Sequence, residues 1–382
     1  MGGTVKAQGL FLGAVLNTIL LAACGGGNSG GGGGAPGSIV ALQAVMTSAR
    51  EGAVAANIGG TNTTLVAGGW DGNSILSSAE IFQPNATSVN GLPTFTALPN
   101  PMVTPRYNAV AVGLLVPSGP ILIAGGFNGF LGACPTSACQ PHVLSSAELF
   151  NPTSQGFTAL ANPMTTPRQG AVAALLSDGT VLIAGGTDGN HILSSAEIYD
   201  PSAQTFTALP SSMVTPRLGA IAFGNAGEVV IAGGTDGNVT LSSAEIYDPA
   251  RKVFTALPNK MSTPRMGAAA SSFGVSTLIA GGSNGGQILA SVEVFDATSQ
   301  TFALQPYQLN TGRTGGSATT VAGWVPIPAL SSAAVPTVPL FPTERFSVVI
   351  FGGHGNDGVL NSVEVFESSF GPGPCTTPPC PE

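Results

Sequence analysis

An all-β fold, a closed ring of six four-stranded blades, follows from three observations on the sequence. The first is a double glycine that recurs at Gly68-Gly69, Gly125-Gly126, Gly185-Gly186, Gly233-Gly234, Gly281-Gly282 and Gly352-Gly353. The second is a glutamate 11 residues past the second glycine in five copies, Glu80, Glu197, Glu245, Glu293 and Glu364, with Glu148 at 22 in the remaining copy. The third is an arginine 11 residues after an aromatic, which pairs Phe95 with Arg106, Phe157 with Arg168, Phe206 with Arg217, Phe254 with Arg265 and Phe302 with Arg313. Repetition at this period predicts a β-propeller, in which units unable to bury a face alone stack around an axis.

Taken in chain order, residues 1–23 predict an export signal: Lys6 precedes an apolar run from Gly9 to Leu21, too short to span a bilayer as a helix. The Leu21-Ala22-Ala23-Cys24 ending, followed by Gly25, resembles a bacterial lipobox. That resemblance implies cleavage before Cys24 and lipid on the cysteine. Glycine after the cysteine resembles lipoproteins released from the inner membrane, which implies an outer-membrane or cell-surface address. Residues 24–38 carry the cysteine and a Gly-rich linker, a flexible coil with a reach of about 20 Å.

Residues 39–367 hold the ring. Each unit contains four short runs rich in Val, Ile, Phe, Ala and Thr between Gly, Asn, Asp and Pro turn signals, which predicts strands rather than helices. In the third unit these are strand a (Gly170 to Leu176), b (Val181 to Ala184), c (Ser195 to Tyr199) and d (Thr205 to Leu209). After Val363 to Phe366 the last unit runs into a Gly/Pro/Cys tail, residues 368–382, and lacks its fourth strand. Ile39 to Leu42, followed in phase by Met46 and Arg50, is expected to supply it and so close the ring without an exposed edge.

These segments resemble kelch repeats, marked by a double glycine ending strand b, an aromatic on strand c (Tyr199 and Tyr247; Phe82, Phe150, Phe295 and Phe366 elsewhere) and another on strand d. The resemblance covers roughly residues 39 to 367 and implies a six-bladed kelch-type propeller with strand a lining a central channel. Phenylalanine replaces the tryptophan usual on kelch strand d. Among kelch-like propellers, galactose oxidase needs two tyrosines, two histidines and a crosslinked cysteine at copper. Here only Tyr107 and Tyr307 fall outside the repeat. The Ser-x-Asp-x-Gly-x-Thr-Trp boxes of sialidase-type propellers are missing, and Ser177-Asp178-Gly179-Thr180 reads as a hairpin turn. A carbohydrate-active envelope enzyme, epimerase-like or oxidase-like with a site at the channel mouth, stays open by analogy of fold alone.

Charged residues make up 8% of the chain and the net charge is −8. With no basic stripe to neutralise phosphates, nucleic acid is not an expected partner. The repeated Arg50, Arg106, Arg168, Arg217, Arg265 and Arg313, and Glu80, Glu148, Glu197, Glu245, Glu293 and Glu364, take six of eight arginines and six of eleven glutamates. A charge repeated six times is expected to serve the scaffold, in ion pairs or loop hydrogen bonds. The remaining charges, Glu51 and Glu228 among them, lie on different loops with no motif spacing. No catalytic residue, metal site or cofactor is therefore expected. His142, His191 and His354 all fall in b–c loops, too far apart from blade to blade to share an ion.

Besides Cys24, the cysteines form two Cys-x4-Cys pairs, Cys134 with Cys139 and Cys375 with Cys380. Exported chains oxidise such cysteines, and four permit three pairings. One pair sits in a b–c loop and the other follows a strand c, on opposite faces of an antiparallel meander, so two local disulfides are favoured.

Two insertions break the repeat. Phe127 to Val143 lengthens the b–c loop of the second blade by 11 residues and carries Phe130, Leu131, the first cysteine pair and His142. A stapled apolar loop on a rigid scaffold suits recognition, with Arg106 and Arg168 on adjacent d–a turns as its expected polar neighbours. About 23 proline-rich residues between strands a and b of the last blade, including Trp324, suit a spacer. They lie on the linker's face, so the b–c/d–a face is expected to point away from the membrane. The sequence thus predicts a monomeric, lipid-anchored, non-catalytic module that binds an envelope or extracellular protein or glycan through that face.

Overall fold

The computed structural model describes residues 38–84, 93–114, 119–129, 142–322 and 346–367. All regular elements there are β-strands, in six antiparallel four-stranded sheets and two short two-stranded ones, Ser283–Asn284 with Gln287–Ile288 and His354–Gly355 with Gly358–Val359. Blade 1 comprises Val54–Asn57, Thr64–Ala67, Ala79–Gln83 and Thr94–Ala97, and blade 2 Val110–Gly113, Ile121–Ala124, Ala147–Asn151 and Gly156–Ala159. Blade 3 comprises Val172–Leu175, Val181–Ala184, Ala196–Asp200 and Thr205–Ala208, and blade 4 Ile221–Asn225, Glu228–Ala232, Ala244–Asp248 and Val253–Leu257. Blade 5 is built from Ala269–Phe273, Ser276–Ala280, Ser291–Asp296 and Thr301–Gln308. Blade 6 combines Ser317–Ala322, Phe346–Phe351 and Val363–Glu367 with the N-terminal Ser38–Ala41, which pairs Ile39 with Phe366 and Ala41 with Glu364. The N-terminal strand therefore completes the last blade, and the fold is the six-bladed propeller that the sequence predicts.

Turn chemistry sets the strand lengths. Asp200 accepts the Ser202 N–H at 2.8 Å and Gln204 takes φ 53°, which reverses the chain between strands c and d of blade 3. Across that turn Tyr199 stands opposite Phe206 with ring centroids 4.7 Å apart, a cross-strand aromatic pair worth roughly 0.5–1.5 kcal/mol beyond its buried area. The core is divided into six wedges between neighbouring blades. In one of them Val54, Leu65 and Ile81 of blade 1 meet Ile121, Ile123 and Phe150 of blade 2.

Each repeated arginine clamps the loop entering a blade to that blade's strands b and c. Arg168 donates Nε–H to Glu197 at 2.7 Å, Nη1–H to the carbonyls of Gly185 and Ser195, both at 2.9 Å, and Nη2–H to Ser195 Oγ at 3.0 Å. Glu197 in turn accepts the Thr165 N–H at 2.7 Å. The same ion pair joins Arg50 to Glu80, Arg106 to Glu148, Arg217 to Glu245, Arg265 to Glu293 and Arg313 to Glu364, and all twelve side chains are buried. Burial of this kind holds only where every donor and acceptor is matched. Desolvation pulls the pKa of Arg106, Arg217, Arg265 and Arg313 down, and the partner carboxylate opposes that shift.

The double glycines let these clamps come together. A Cβ on Gly185 would lie 2.6 Å from the Arg217 carbonyl oxygen, and one on Gly186 would lie 2.6 Å from the Gln169 carbonyl oxygen; both residues have positive φ.

A second closure device surrounds the axis. Gly52, Asn108, Gly170, Gly219, Gly267 and Gly315, each two residues past a repeated arginine, all have φ between 53° and 66°. Each donates its N–H to the carbonyl of its counterpart in the preceding blade, at 2.7–2.9 Å, and Gly52 returns to Gly315. The result is an unbroken belt of six backbone hydrogen bonds. Beneath it, period-2 alternation turns one ring of five alanines and Gly316 toward the axis (Ala53, Ala109, Ala171, Ala220 and Ala268) and then a ring of alanines only (Ala55, Ala111, Ala173, Ala222, Ala270 and Ala318). Of these, the alanines from Ala171 onward, Ala111 and Gly316 line a space of about 180 Å³, together with Ser317. No Asp, Glu, Lys, Arg or His occurs in the six innermost strands.

Candidate functional site

The residue between each clamping arginine and the belt points neither into the blade nor into the channel. Going round the ring these residues are Glu51, Tyr107, Gln169, Leu218, Met266 and Thr314. Five of them lean over the belt residue of the preceding blade: a Cβ built on Gly52 would meet the Tyr107 ring at 2.6 Å. On Gly170 it would meet Leu218 at 2.6 Å, on Gly219 Met266 at 2.9 Å, on Gly267 Thr314 at 2.6 Å and on Gly315 Glu51 at 3.0 Å. The side chains form a pinwheel over the channel mouth. Each bridges by backbone to the residue after a double glycine, which adds an outer ring of Trp70, Phe127, Thr187, Thr235, Ser283 and His354. The d–a and b–c loops therefore meet on one face, and these twelve residues form a dish at its centre.

The dish departs from six-fold repetition where blades 6, 1 and 2 meet. Glu51 lies between two donors: the Tyr107 hydroxyl reaches Oε1 at 2.9 Å and His354 Nδ1 reaches Oε2 at 2.9 Å. Since a carboxylate can only accept, the His354 Nδ1 carries the hydrogen in this contact. Trp70 stacks parallel to His354, with centroids 6.5 Å apart and planes 7° from parallel. Glu51 and His354 keep 16% and 35% of their side-chain area open to solvent, enough for a ligand to reach both. Burial first, then the charge of Glu51, push the Tyr107 hydroxyl well above the ordinary phenol range, so it stays protonated as a donor. The opposite side of the pinwheel is apolar, with Leu218 and Met266.

Charges on the same face are lopsided. The b–c turns carry Asp71, Asp188 and Asp236, each capping the backbone N–H groups of its own turn, and Asp357. Among the described residues the cation outside the buried pairs on this face is Lys260, exposed in a d–a loop. His191 is exposed beside Asp188, with Nδ1 3.7 Å from Oδ2. No group of three His, Cys, Asp or Glu side chains among the described residues is arranged to hold a metal ion.

The residues singled out from sequence are distributed unevenly. His142 is exposed at the edge of the blade 2 insertion, its carbonyl accepting the Asn128 N–H at 2.9 Å. Phe130, Leu131, Cys134 and Cys139 lie outside the described residues, as do Cys24, Cys375, Cys380 and the proline-rich insertion with Trp324. Arg106 and Arg168 are each 2% exposed, and their donors are already bound to Glu148, Glu197 and backbone carbonyls. They are clamps, so their expected part in ligand contact gives way to the residues that follow them, Tyr107 and Gln169. Sequence reading left Trp70 unmentioned and treated Glu51, Tyr107 and His354 separately. Aligning the copies on the arginine and on the double glycine would have placed all four in two adjacent rings.

Two stretches, residues 171–213 and 225–261, match the family model described as Kelch motif, covering blade 3 and most of blade 4. The solved structure titled "Structure of YjhT" is similar with a TM-score of 0.64 at 15% identity, over 86% of this chain and 99% of that one. At that identity the likeness is one of fold. No curated protein sequence matches the chain.

Proposed function

We propose that this chain is an envelope-anchored, non-catalytic binding module that takes a protein or glycan on its b–c/d–a face, centred on the dish. The observation that carries this reading is the Glu51, Tyr107, His354 and Trp70 group. It places a solvent-accessible carboxylate, two hydrogen-bond donors and an indole where other blades have Gln169, Leu218, Met266, Thr187 or Thr235. A rigid scaffold that presents a few polar and aromatic groups on one loop face is suited to recognition. The described inner strands beneath carry no Asp, Glu, Lys, Arg or His, which favours binding over acid-base chemistry there. Anchoring rests on the Leu21 to Gly25 pattern.

The test is a screen of the full chain against glycan and envelope-protein arrays, repeated with Glu51→Gln and with Trp70→Ala. A hit lost in both variants supports the site. A hit that survives both moves the binding surface elsewhere, and uniform silence counts against a binding module.

A second reading, an enzyme acting on carbohydrate at the mouth, is favoured by one observation: three titratable side chains share two hydrogen bonds of 2.9 Å. Turnover of chromogenic glycosides, abolished by Glu51→Gln, would establish it; its absence leaves the binding reading in place.

A further inference from the structure

We propose that the dish holds an organic ammonium group, its charge against Glu51 and its carbon chain running toward Leu218 and Met266. This rests on the reading of the dish as a binding site, and it names the ligand's chemistry.

Four features lead to a cation. Glu51 accepts one hydrogen bond on each carboxylate oxygen, from Tyr107 and from His354, which leaves each oxygen a second lone pair. No lysine or arginine among the described residues is ion-paired with it. Aromatic rings neighbour it, with Trp70 bridged to Glu51 by backbone and stacked parallel to His354, and the Tyr107 ring over Gly52; such rings attract ammonium groups, more strongly once water is excluded. Finally, Asp71, Asp188, Asp236 and Asp357 outnumber the lone described cation of this face, Lys260, a field that draws positive ligands inward.

The cation is organic. One carboxylate among aromatic rings is a poor shell for a hard metal ion, which demands six or more oxygens or several nitrogen ligands. The pinwheel also supplies the apolar half, since Leu218 of blade 4 lies opposite Glu51 of blade 1 with Met266 beside it. An alkyl chain several carbons long spans such a site; methylammonium does not. The same chemistry occurs as a lysine side chain on a protein and as a free amine.

Trp70 is one of only two tryptophans, so Trp324→Phe leaves it as the sole fluorescent reporter in the full chain. Titration with hexylammonium is expected to change its emission saturably. Methylammonium should bind more weakly and 1-hexanol should give no saturation. Glu51→Gln should weaken hexylammonium binding roughly tenfold or more, with an unfolding midpoint unchanged. N-acetyl-lysine methylamide binding more tightly than hexylammonium identifies a protein lysine as the source, and the reverse order a free amine. The proposal is overturned if no amine saturates the signal, if 1-hexanol binds as well as the amine, or if Glu51→Gln leaves amine affinity intact. A glycan-array hit lost in Glu51→Gln, with no amine binding, would refute the cation and keep the dish.

Discussion

Glu245→Ala tests whether the repeated ion pair is a clamp on backbone or merely a pair of charges. In the native chain Arg217 Nε lies 3.0 Å from Glu245 Oε1, while Nη1 reaches the carbonyls of Gly233 and Ser243 at 2.9 and 3.0 Å. Glu245 also accepts the N–H groups of Val214 and Thr215 at 2.6 and 3.1 Å. Removing the carboxylate strands a buried guanidinium and two N–H groups together, which costs about 3–5 kcal/mol. Urea unfolding followed by circular dichroism should show that loss, with hydrogen-exchange protection falling first in Ala244–Asp248. The double variant Arg217→Leu/Glu245→Leu sharpens the test. Were charge alone at stake, two packed leucines would restore stability. Because the Val214 and Thr215 N–H groups and the Gly233 carbonyl would then lose the partners they have here, the double variant should remain at least about 2 kcal/mol below wild type. A single-variant loss under about 1 kcal/mol, or full recovery in the double, would refute the clamp.

Three further outcomes follow from the same structure. Tyr199→Phe should be neutral or stabilising by up to about 1 kcal/mol in thermal unfolding, because the buried Tyr199 hydroxyl has no partner and four blades carry phenylalanine there. Gly186→Ala should destabilise by more than about 2 kcal/mol, since its Cβ would meet the Gln169 carbonyl oxygen at 2.6 Å with φ at +81°. Acid should weaken the b–c turns: backbone N–H groups of the turn, first Ser74 for Asp71, His191 for Asp188 and Val239 for Asp236, hold these carboxyls below their ordinary 3.8. A depressed folded pKa gives stability that is present above the unfolded value and lost as pH falls through the folded one. The unfolding midpoint should therefore drop as pH descends below about 4, and Asp188→Asn should flatten that drop.

The ring, its closure and its strands were legible because they repeat. Six copies fix the period, and the missing fourth strand after Val363 to Phe366 leaves Ile39 to Leu42 as the segment that can replace it. The clamp was legible in part: recurrence marked Arg168 and Glu197 as scaffold, but the saturation of the guanidinium by Gly185 and Ser195 carbonyls required coordinates. The dish was not legible by motif. Tyr107 lies 56 residues from Glu51 and His354 lies 303 away, separations that no local pattern spans. What brings them together is the closure of blade 6 onto blade 1 and the belt that links Gly315 to Gly52. Both are global consequences of the ring.

The order of residues at each d–a turn explains why function can vary here without loss of the fold. Arg50 turns into the blade and is 1% exposed, Gly52 enters the belt, and Glu51 between them faces the mouth. The arginine recurs in every blade and the belt position is glycine in all but one, whereas the intervening residue differs in all six. Stability and mouth chemistry are therefore carried by adjacent but separate positions, and Glu51→Gln should leave unfolding free energy within about 1 kcal/mol of wild type, as a Gln carbonyl can still accept one donor. Its effect should appear in Tyr107 instead. Burial is the main cause of that hydroxyl's raised pKa and the Glu51 charge the next, so removing the charge should bring phenolate formation to lower pH, still above the ordinary 10.0. Ultraviolet titration of Glu51→Gln against wild type, with Tyr107→Phe to identify the band, reads this directly. An unchanged titration would mean that Glu51 and Tyr107 do not meet in solution, and the dish would lose the contact around which it is built.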